Sequence, residues 1–214
     1  MSDSEIPKFW NAFDSAGLIR GLALKTVLLT GQRPGEVSWM RTEHIKDGWW
    51  EMPGQVVEGV WPGTKNNMSH RVWLPSAVQD IITIAMLDPT KPGFVFANPR
   101  GNAIDKLDGA MRDICKSLGV NEKVTPHDLR RSHGTMITSL SYSRDCMNRI
   151  QNHREGGIGS VYDRYAYEKE NKAVMESVAN KIMSLIRPAL KAGRSGRSSK
   201  GDIGVEEKPL FTTA

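Results

Sequence analysis

The sequence has few cysteines and lacks a long hydrophobic run. Only two of its 214 residues are cysteine, Cys115 and Cys146, and no secretory signal is recognisable. We therefore expect a reduced, cytoplasmic compartment and no structural disulfide. The longest apolar stretch, LALKTVLL at residues 22–29, is interrupted by a lysine and is far too short to cross a bilayer. A disulfide-stabilised secreted scaffold and an integral membrane protein are thus both disfavoured.

The charge balance is only mildly one-sided. Lys and Arg number 29 against 24 Asp and Glu, for a net charge of +5. This excess permits a polyanionic partner such as nucleic acid but does not require one. With 39% hydrophobic and 25% charged residues the chain is typical of a globular protein. Its length allows one substantial core, and no internal repeat is present, so one main domain with appendages is expected.

Residue patterns predict a mixed, mainly α fold with a small antiparallel three-stranded β-sheet. The segment GLIRGLALKTVLL has the apolar spacing of a buried helix that ends at Gly31, and Pro34 suits the first turn of the next helix. Aromatic and β-branched residues between Gly48 and Pro75 predict about three strands, with a turn near Asn66 and Asn67. Further helices are predicted over residues 76–87, 105–118, 126–140, 144–152 and 168–187.

The stretch TPHDLRRSHG, residues 125–134, concentrates titratable and cationic side chains. His127 and Arg130 are three residues apart on a predicted helix and so share a face, while Arg131 points elsewhere. A cation beside an imidazole suits an anion whose protonation changes during a reaction, such as a phosphodiester. An N-terminal capping turn with solvated arginines explains the same residues equally well. This stretch alone does not decide between the two interpretations.

Five stretches taken together resemble the catalytic domain of tyrosine recombinases, especially the phage-type integrases of prophages and genomic islands. They are TGQRPGEV at 30–37, TKNNMSHRVWLP at 64–75, TPHDLRRSHG, IQNHREGG at 150–157 and VYDRYAY at 161–167. The resemblance spans roughly residues 2–187 and implies a catalytic domain over residues 1–187, a flexible tail over 188–214, and no N-terminal core-binding domain in this chain. One departure is the third box, where Gln151 and Asn152 replace a leucine and a small residue that commonly precede the histidine.

The resemblance also implies an active site of seven residues: Arg33, Glu36, Lys65, His127, Arg130, His153 and Tyr162. Tyr162 matches the nucleophile, which the family places nine residues after the third-box histidine. Tyr165 and Tyr167 are its neighbours in sequence, but neither has that spacing. A tyrosine that attacks a DNA phosphate must lose a proton, and the departing deoxyribose oxygen must gain one.

The implied roles separate charge stabilisation from proton transfer. Arg33 and Arg130 are planar, permanently charged donors that would bind the two non-bridging phosphate oxygens. Lys65 would be the general acid for the leaving 5′ oxygen, His127 a proton acceptor and His153 a hydrogen-bond donor to the phosphate. Glu36 would orient its neighbours. An ordinary exposed hairpin lysine remains the alternative for Lys65.

No cofactor and no metal ion are implied. His127, His133 and His153 have no carboxylate or cysteine at a recognisable metal-ligand spacing. Cations supplied by the protein make Mg²⁺ unnecessary, in contrast to two-metal nucleases. His133 is expected to be structural, and His44 and His70 are expected to be surface or turn residues.

The expected function is site-specific DNA recombination of the integrase type, through a covalent 3′-phosphotyrosyl intermediate. The implied partners are double-stranded DNA attachment sites and further protomers in a synaptic tetramer. A catalytically inactive DNA-binding fragment and a type I topoisomerase-like enzyme are the alternatives. An apolar stripe from Val174 to Ile186 packs either on a neighbouring protomer or on its own chain, and the sequence is compatible with both arrangements.

Overall fold

A computed structural model describes residues 1–87, 93–153 and 167–195 of the chain, with side chains described as far as Arg187 in the last helix. The helices are α1 Ile6–Ala12, α2 Leu18–Thr30, α3 Pro34–Ser38, α4 Ser76–Ala85, α5 Leu107–Ser117, α6 Pro126–Ser139, α7 Arg144–Ile150 and α8 Glu168–Ser195. The strands are β1 Ile45–Lys46, β2 Trp49–Met52 and β3 His70–Trp73, and short 3-10 turns cover Phe13–Ala16 and Thr42–His44. The predicted fold class, mainly helical with one small antiparallel sheet, is confirmed.

Helix α2 forms the centre of the core. Every residue from Gly21 to Thr30 is buried, and the helix packs against α4, α5, α6 and α8. Burial on all sides distinguishes it from a surface helix, which buries only one face. The helix ends at Gly31, as predicted, because that residue adopts a left-handed conformation with φ of 65° and its N–H donates to the Val27 carbonyl at 2.9 Å. The chain therefore turns sharply into Arg33 and α3.

The three strands pair in the order β1-β2-β3, and both pairs are antiparallel. Trp50 and Val72 are partners in the register of β2 and β3 and are buried together. The connection from β2 to β3 contains a turn at residues 64–67, in which the Asn67 N–H donates to the Thr64 carbonyl at 3.0 Å. This turn presents Lys65.

Helix α6 begins at a capping arrangement that the sequence TPHD encodes. The Thr125 N–H and hydroxyl both donate to the Asp128 carboxylate, at 2.8 and 2.7 Å, and Pro126 occupies the first turn, where a missing N–H is harmless. Burial opposes ionisation of Asp128, but the hydrogen bonds from Thr125 and Arg131 outweigh it and lower the pKa of the carboxyl. The capping interpretation of this stretch is therefore correct for Thr125 and Asp128.

Helix α8 packs on its own chain. Its apolar stripe, Val174, Val178, Ile182 and Ile186, is fully buried, and the helix contacts α1, α2, α6 and β3. The structure thus places the stripe in cis. The helix also continues beyond residue 187, where the sequence predicted its end, to Ser195. The rest of the predicted tail, residues 196–214, lies outside the described residues.

Cys115 and Cys146 are both buried, free thiols. Within the described ranges, no three side chains of His, Cys, Asp or Glu lie close enough together to hold a metal ion. In the same ranges no helix is both long enough and apolar enough to cross a bilayer.

Candidate active site

The candidate site is built around one turn, residues 150–153, which we call the third-box turn. It closes α7 with a Schellman-type arrangement, in which the Asn152 N–H donates to the Arg149 carbonyl at 3.2 Å and the His153 N–H to the Asn148 carbonyl at 2.9 Å. Asn152 adopts the left-handed conformation that this turn requires, with φ of 49°. Asparagine tolerates that conformation better than most residues. The departure from the family pattern at Asn152 therefore has a local structural explanation.

The carbonyls at the end of a helix have no partner within the helix, and here side chains from distant segments satisfy them. The Ile150 carbonyl accepts hydrogen bonds from Gln32 Nε2 at 2.8 Å and His70 Nε2 at 2.9 Å. The Gln151 carbonyl accepts one from Arg130 Nη2 at 2.5 Å. Three of the stretches that resemble the family therefore meet at the third-box turn, namely residues 30–37, 64–75 and 125–134.

Arg33 reaches the next carbonyl along the same turn. Its Nη2 donates to the Asn152 carbonyl at 3.2 Å, and its Nη1 donates to Glu36 Oε1 at 3.0 Å. Glu36 is itself buried, and its second oxygen accepts the Arg33 backbone N–H at 3.3 Å. The Glu36 carboxylate thus holds the Arg33 guanidinium in one orientation.

Arg130 is a buried cation, with 5% of its surface exposed. Its Nη1 donates to the Gly31 carbonyl at 2.8 Å, and the Gln151 side chain returns a hydrogen bond to the Arg130 carbonyl at 2.8 Å. Burial, and then the charge of Arg33, lower the pKa of Arg130 to about 10, with Glu36 opposing the change. The group remains charged at neutral pH, so two mutually repelling guanidinium groups share a site from which water is partly removed. Such a site favours an anion.

The two site histidines differ in their surroundings. His153 is exposed at the end of the third-box turn, with Nδ1 3.4 Å from Asn148 Oδ1. Partial burial, followed by the charges of Arg130 and Arg33, lowers its pKa, which favours the neutral form of the ring. His127 is exposed in the first turn of α6, one turn before Arg130.

The other two predicted site residues are Lys65 and Tyr162, of which only Lys65 lies within the described residues. Lys65 is exposed in the turn at residues 64–67, and the next residue, Asn66, contacts Asn152 in the third-box turn. Tyr162 lies outside the described residues, as does Tyr165. Tyr167 is described, and the Arg149 guanidinium lies over its ring at 4.0 Å from the centroid.

Sequence reasoning missed the contribution of His70. It was expected at the surface or in a turn, but it is half-buried at the start of β3 and bonded to Ile150. Burial is the main cause that lowers its pKa to about 4, and the charges of Arg130 and Arg33 act in the same direction. The period of two in HRVW puts His70 on the face of the buried Val72, and that signal could have found it.

His133 packs directly behind the site. Its ring is fully buried against Gly31, where an added Cβ would lie 2.3 Å from His133 Nδ1. Burial, and then the charge of Arg130, lower its pKa to about 3, so it stays neutral. A glycine at position 31 therefore serves both the left-handed helix end and the close approach of this ring.

Similarity to known proteins identifies the family of the chain. Residues 1–187 match the model of the Phage integrase family. The chain is 27% identical over 189 residues to the prophage integrase IntZ of Escherichia coli (strain K12), a match that covers 86% of this chain and 44% of IntZ. The chain thus spans less than half the length of that relative.

Two structures of lambda integrase share the fold. A lambda integrase(75-356) dimer bound to a COC' core site superposes with a TM-score of 0.61 at 16% identity, covering 76% of this chain and 60% of that one. The lambda integrase catalytic core superposes with a TM-score of 0.55 at 16% identity, covering 72% of this chain and 94% of the core. The near-complete coverage of the core assigns the shared fold to the catalytic domain. This chain therefore belongs to the phage integrase family of tyrosine recombinases and has the fold of its catalytic domain.

Proposed function

We propose that residues 1–187 form the catalytic domain of a site-specific DNA recombinase, which cleaves and rejoins DNA strands through a covalent 3′-phosphotyrosyl link to Tyr162. One observation carries the proposal: Arg33 and Arg130 donate to consecutive carbonyls of the turn that ends in His153. Three side chains that suit phosphate recognition are thereby gathered from segments far apart in the sequence. The family membership of the chain supports the same reaction.

Arg33 and Arg130 would bind the non-bridging oxygens of the scissile phosphate. Each guanidinium carries five N–H donors, of which two are engaged within the described residues in each case. The remaining donors would bind the phosphate oxygens with their positive charge already in place, so little reorganisation would be needed as negative charge develops in the transition state. Loss of one such donor commonly reduces the rate by about 10²-fold or more.

The bond changes balance without a nucleotide or a metal ion. The Tyr162 oxygen forms a bond to phosphorus as the bond from phosphorus to the 5′ oxygen breaks, which leaves a 3′-phosphotyrosine and a free 5′-hydroxyl. His127 would accept the tyrosine proton, Lys65 would protonate the leaving oxygen, and His153 would donate a hydrogen bond to the phosphate. Attack by the 5′-hydroxyl of a partner strand reverses the sequence and rejoins the DNA.

We further propose that the substrate is double-stranded DNA at attachment sites, recombined in the cytoplasm during integration or excision of a prophage or genomic island. Exchange between two duplexes needs four cleavages, so four protomers would assemble on paired sites. Lambda integrase, whose fold this chain shares, has been crystallised as a dimer on a core site. Without DNA we expect a monomer, because the apolar stripe of α8 is already buried in cis.

Covalent trapping tests the proposal. The protein is incubated in EDTA with a library of duplexes that carry one nick and randomised flanking bases, so that the strand end beyond the nick diffuses away and religation fails. We expect a denaturation-resistant adduct with the wild-type chain and with the matched control Tyr165→Phe, and none with Tyr162→Phe. An adduct in Tyr162→Phe would overturn the nucleophile, and strict dependence of cleavage on Mg²⁺ would overturn the reaction class. Plasmid relaxation without exchange between sites would instead favour the topoisomerase-like alternative.

A further inference from the structure

We propose that Asn66 and Asn152 form an amide clasp that positions Lys65 beside the phosphate site. Asn66 Nδ2 donates to Asn152 Oδ1 at 2.9 Å, and Asn152 Nδ2 donates back to Asn66 Oδ1 at 3.2 Å. Asn66 Nδ2 also lies 3.3 Å from the Asn152 carbonyl oxygen. This reciprocal pair joins the Lys65 turn to the third-box turn. The inference rests on the proposed function, in which Lys65 is the general acid.

The turn that presents Lys65 is held on both sides of the lysine. Thr64 is buried, and its hydroxyl donates to the Met68 carbonyl at 2.7 Å. On the other side, Asn66 Oδ1 accepts the Met68 N–H at 3.2 Å in addition to the Asn152 amide. The backbone at Lys65 is thereby fixed, while its flexible side chain stays exposed.

The Asn152 carbonyl contacts both Arg33 and the residue that follows Lys65. The Asn152 oxygen accepts from Arg33 Nη2 at 3.2 Å and lies 3.3 Å from Asn66 Nδ2. The arginine that would bind the phosphate and the neighbour of the lysine that would protonate the leaving group therefore share one reference point. A shift of the Lys65 turn relative to Arg33 requires these hydrogen bonds to break.

The backbone alone does not demand asparagine at position 152. With φ of 49°, this position would accept glycine at least as readily. Glycine would keep the turn but remove the side chain that contacts Asn66. Asn152→Gly is therefore a variant that deletes the clasp and preserves the helix end.

Misplacement of a catalytic group by about 1 Å can reduce a rate by about 10²-fold. We expect Asn66→Ala and Asn152→Gly each to slow strand cleavage by about 10- to 100-fold. Both variants remove the reciprocal pair, and Asn66→Ala also removes the hydrogen bonds with the Met68 N–H and the Asn152 carbonyl. The double variant should therefore be no slower than Asn66→Ala alone. Asn67→Gly is the matched control, since Asn67 is exposed in the same turn, has φ of 57° and lies outside the clasp.

The experiment compares two substrates at a site recovered by covalent trapping, identical except that sulfur replaces the bridging 5′ oxygen. A thiolate leaves without a proton, because a thiol is far more acidic than an alcohol (pKa about 8.5 for cysteine). Lys65→Ala should cleave the oxygen substrate slowly and the sulfur substrate at close to the wild-type rate. Asn66→Ala and Asn152→Gly should show the same rescue, which a general loss of structure would not give. Hydrogen exchange at residues 64–68 should accelerate in both clasp variants and remain unchanged in Asn67→Gly.

The outcomes separate the clasp from the role of Lys65. If Lys65→Ala is rescued by sulfur but the clasp variants cleave the oxygen substrate at the wild-type rate, or lose both substrates equally, the clasp proposal is overturned and Lys65 remains the acid. If sulfur does not rescue Lys65→Ala, the assignment of Lys65 as general acid fails, and with it the purpose of the clasp.

Discussion

Replacement of Arg130 by methionine should abolish stabilisation by phosphate while changing the stability of the free protein only moderately. The lowering of the pKa of Arg130 to about 10 corresponds to about 3 kcal/mol of destabilisation of the buried cation. Its two hydrogen bonds to the Gly31 and Gln151 carbonyls contribute about 1.5 to 3 kcal/mol each. These opposing contributions partly cancel, so we expect Arg130→Met to lower the free energy of unfolding by about 3 kcal/mol or less.

The stabilisation of the folded protein by phosphate is measured by thermal unfolding at increasing concentrations of inorganic phosphate. At a concentration ten times the Kd, binding to the folded state adds about 1.4 kcal/mol, which raises Tm by roughly 3 to 6 °C for a domain of this size. Arg131→Met is the matched control, because Arg131 is exposed and pairs with Asp128 at 3.0 Å on the surface. It should keep the full rise in Tm, whereas Arg130→Met should lose it. An equal rise in the Arg130 variant, or no rise in the wild-type chain, would refute the assignment of this pair of arginines as an anion site.

Three further predictions concern the surroundings of the site. Arg33→Gln should raise the pKa of His153 toward its ordinary value, since the Arg33 charge lowers it, whereas Arg33→Lys should leave the pKa low. Both values are measured by NMR titration of the His153 ring. An unchanged pKa in Arg33→Gln would contradict the proposal that Arg33 and His153 share one site. Gly31→Ala should destabilise the chain by about 2 to 4 kcal/mol in urea, because φ is 65° and the new Cβ would lie 2.3 Å from His133 Nδ1; near wild-type stability would show that this packing is wrong. Asp128→Asn should destabilise the folded chain by about 0.3 to 1 kcal/mol at neutral pH, because it removes a negative charge from the first turn of α6. Because the pKa of Asp128 is lowered in the folded state, its carboxylate stabilises the fold above the unfolded-state pKa, and this stabilisation is lost as the pH falls through the folded-state pKa. The free energies of unfolding of the two proteins should therefore converge in acid. A difference in stability that does not change with pH would contradict the capping role.

The parts of the fold that local chemistry determines could be predicted from the sequence. The end of α2 follows from Gly31, because glycine takes a positive φ more readily than any other residue, and the start of α6 follows from the TPHD pattern. The apolar stripe of α8 predicted a packed face, but periodicity contains no information about whether that face packs in cis or on another protomer. The burial of Val174 and Ile186 in the same chain came only from the structure.

The candidate site was predictable as a set of residues but not as a network. The resemblance selected Arg33, Arg130 and His153, and the structure gathers these at the third-box turn. The contacts that fix them come from Gln32, His70 and Asn66, whose partners lie 80 or more residues away in the sequence. The alternation in HRVW indicates that His70 faces the core, but no local pattern identifies its hydrogen-bond partner at the end of a distant helix. Asn152 illustrates this: in the sequence it is only a departure from the family pattern, and its contact with Asn66 is visible only in the structure.

The proposed chemistry is tested most directly by locating the covalent bond between protein and DNA. The trapped adduct is digested with nuclease and then with trypsin, which cleaves after Arg154 and Arg164 and so releases Tyr162 in the peptide EGGIGSVYDR, apart from Tyr165 and Tyr167. Mass spectrometry should find a nucleotide on this peptide, joined to Tyr162 through its 3′ phosphate. A nucleotide joined through its 5′ phosphate, or found on any other peptide, would contradict the account.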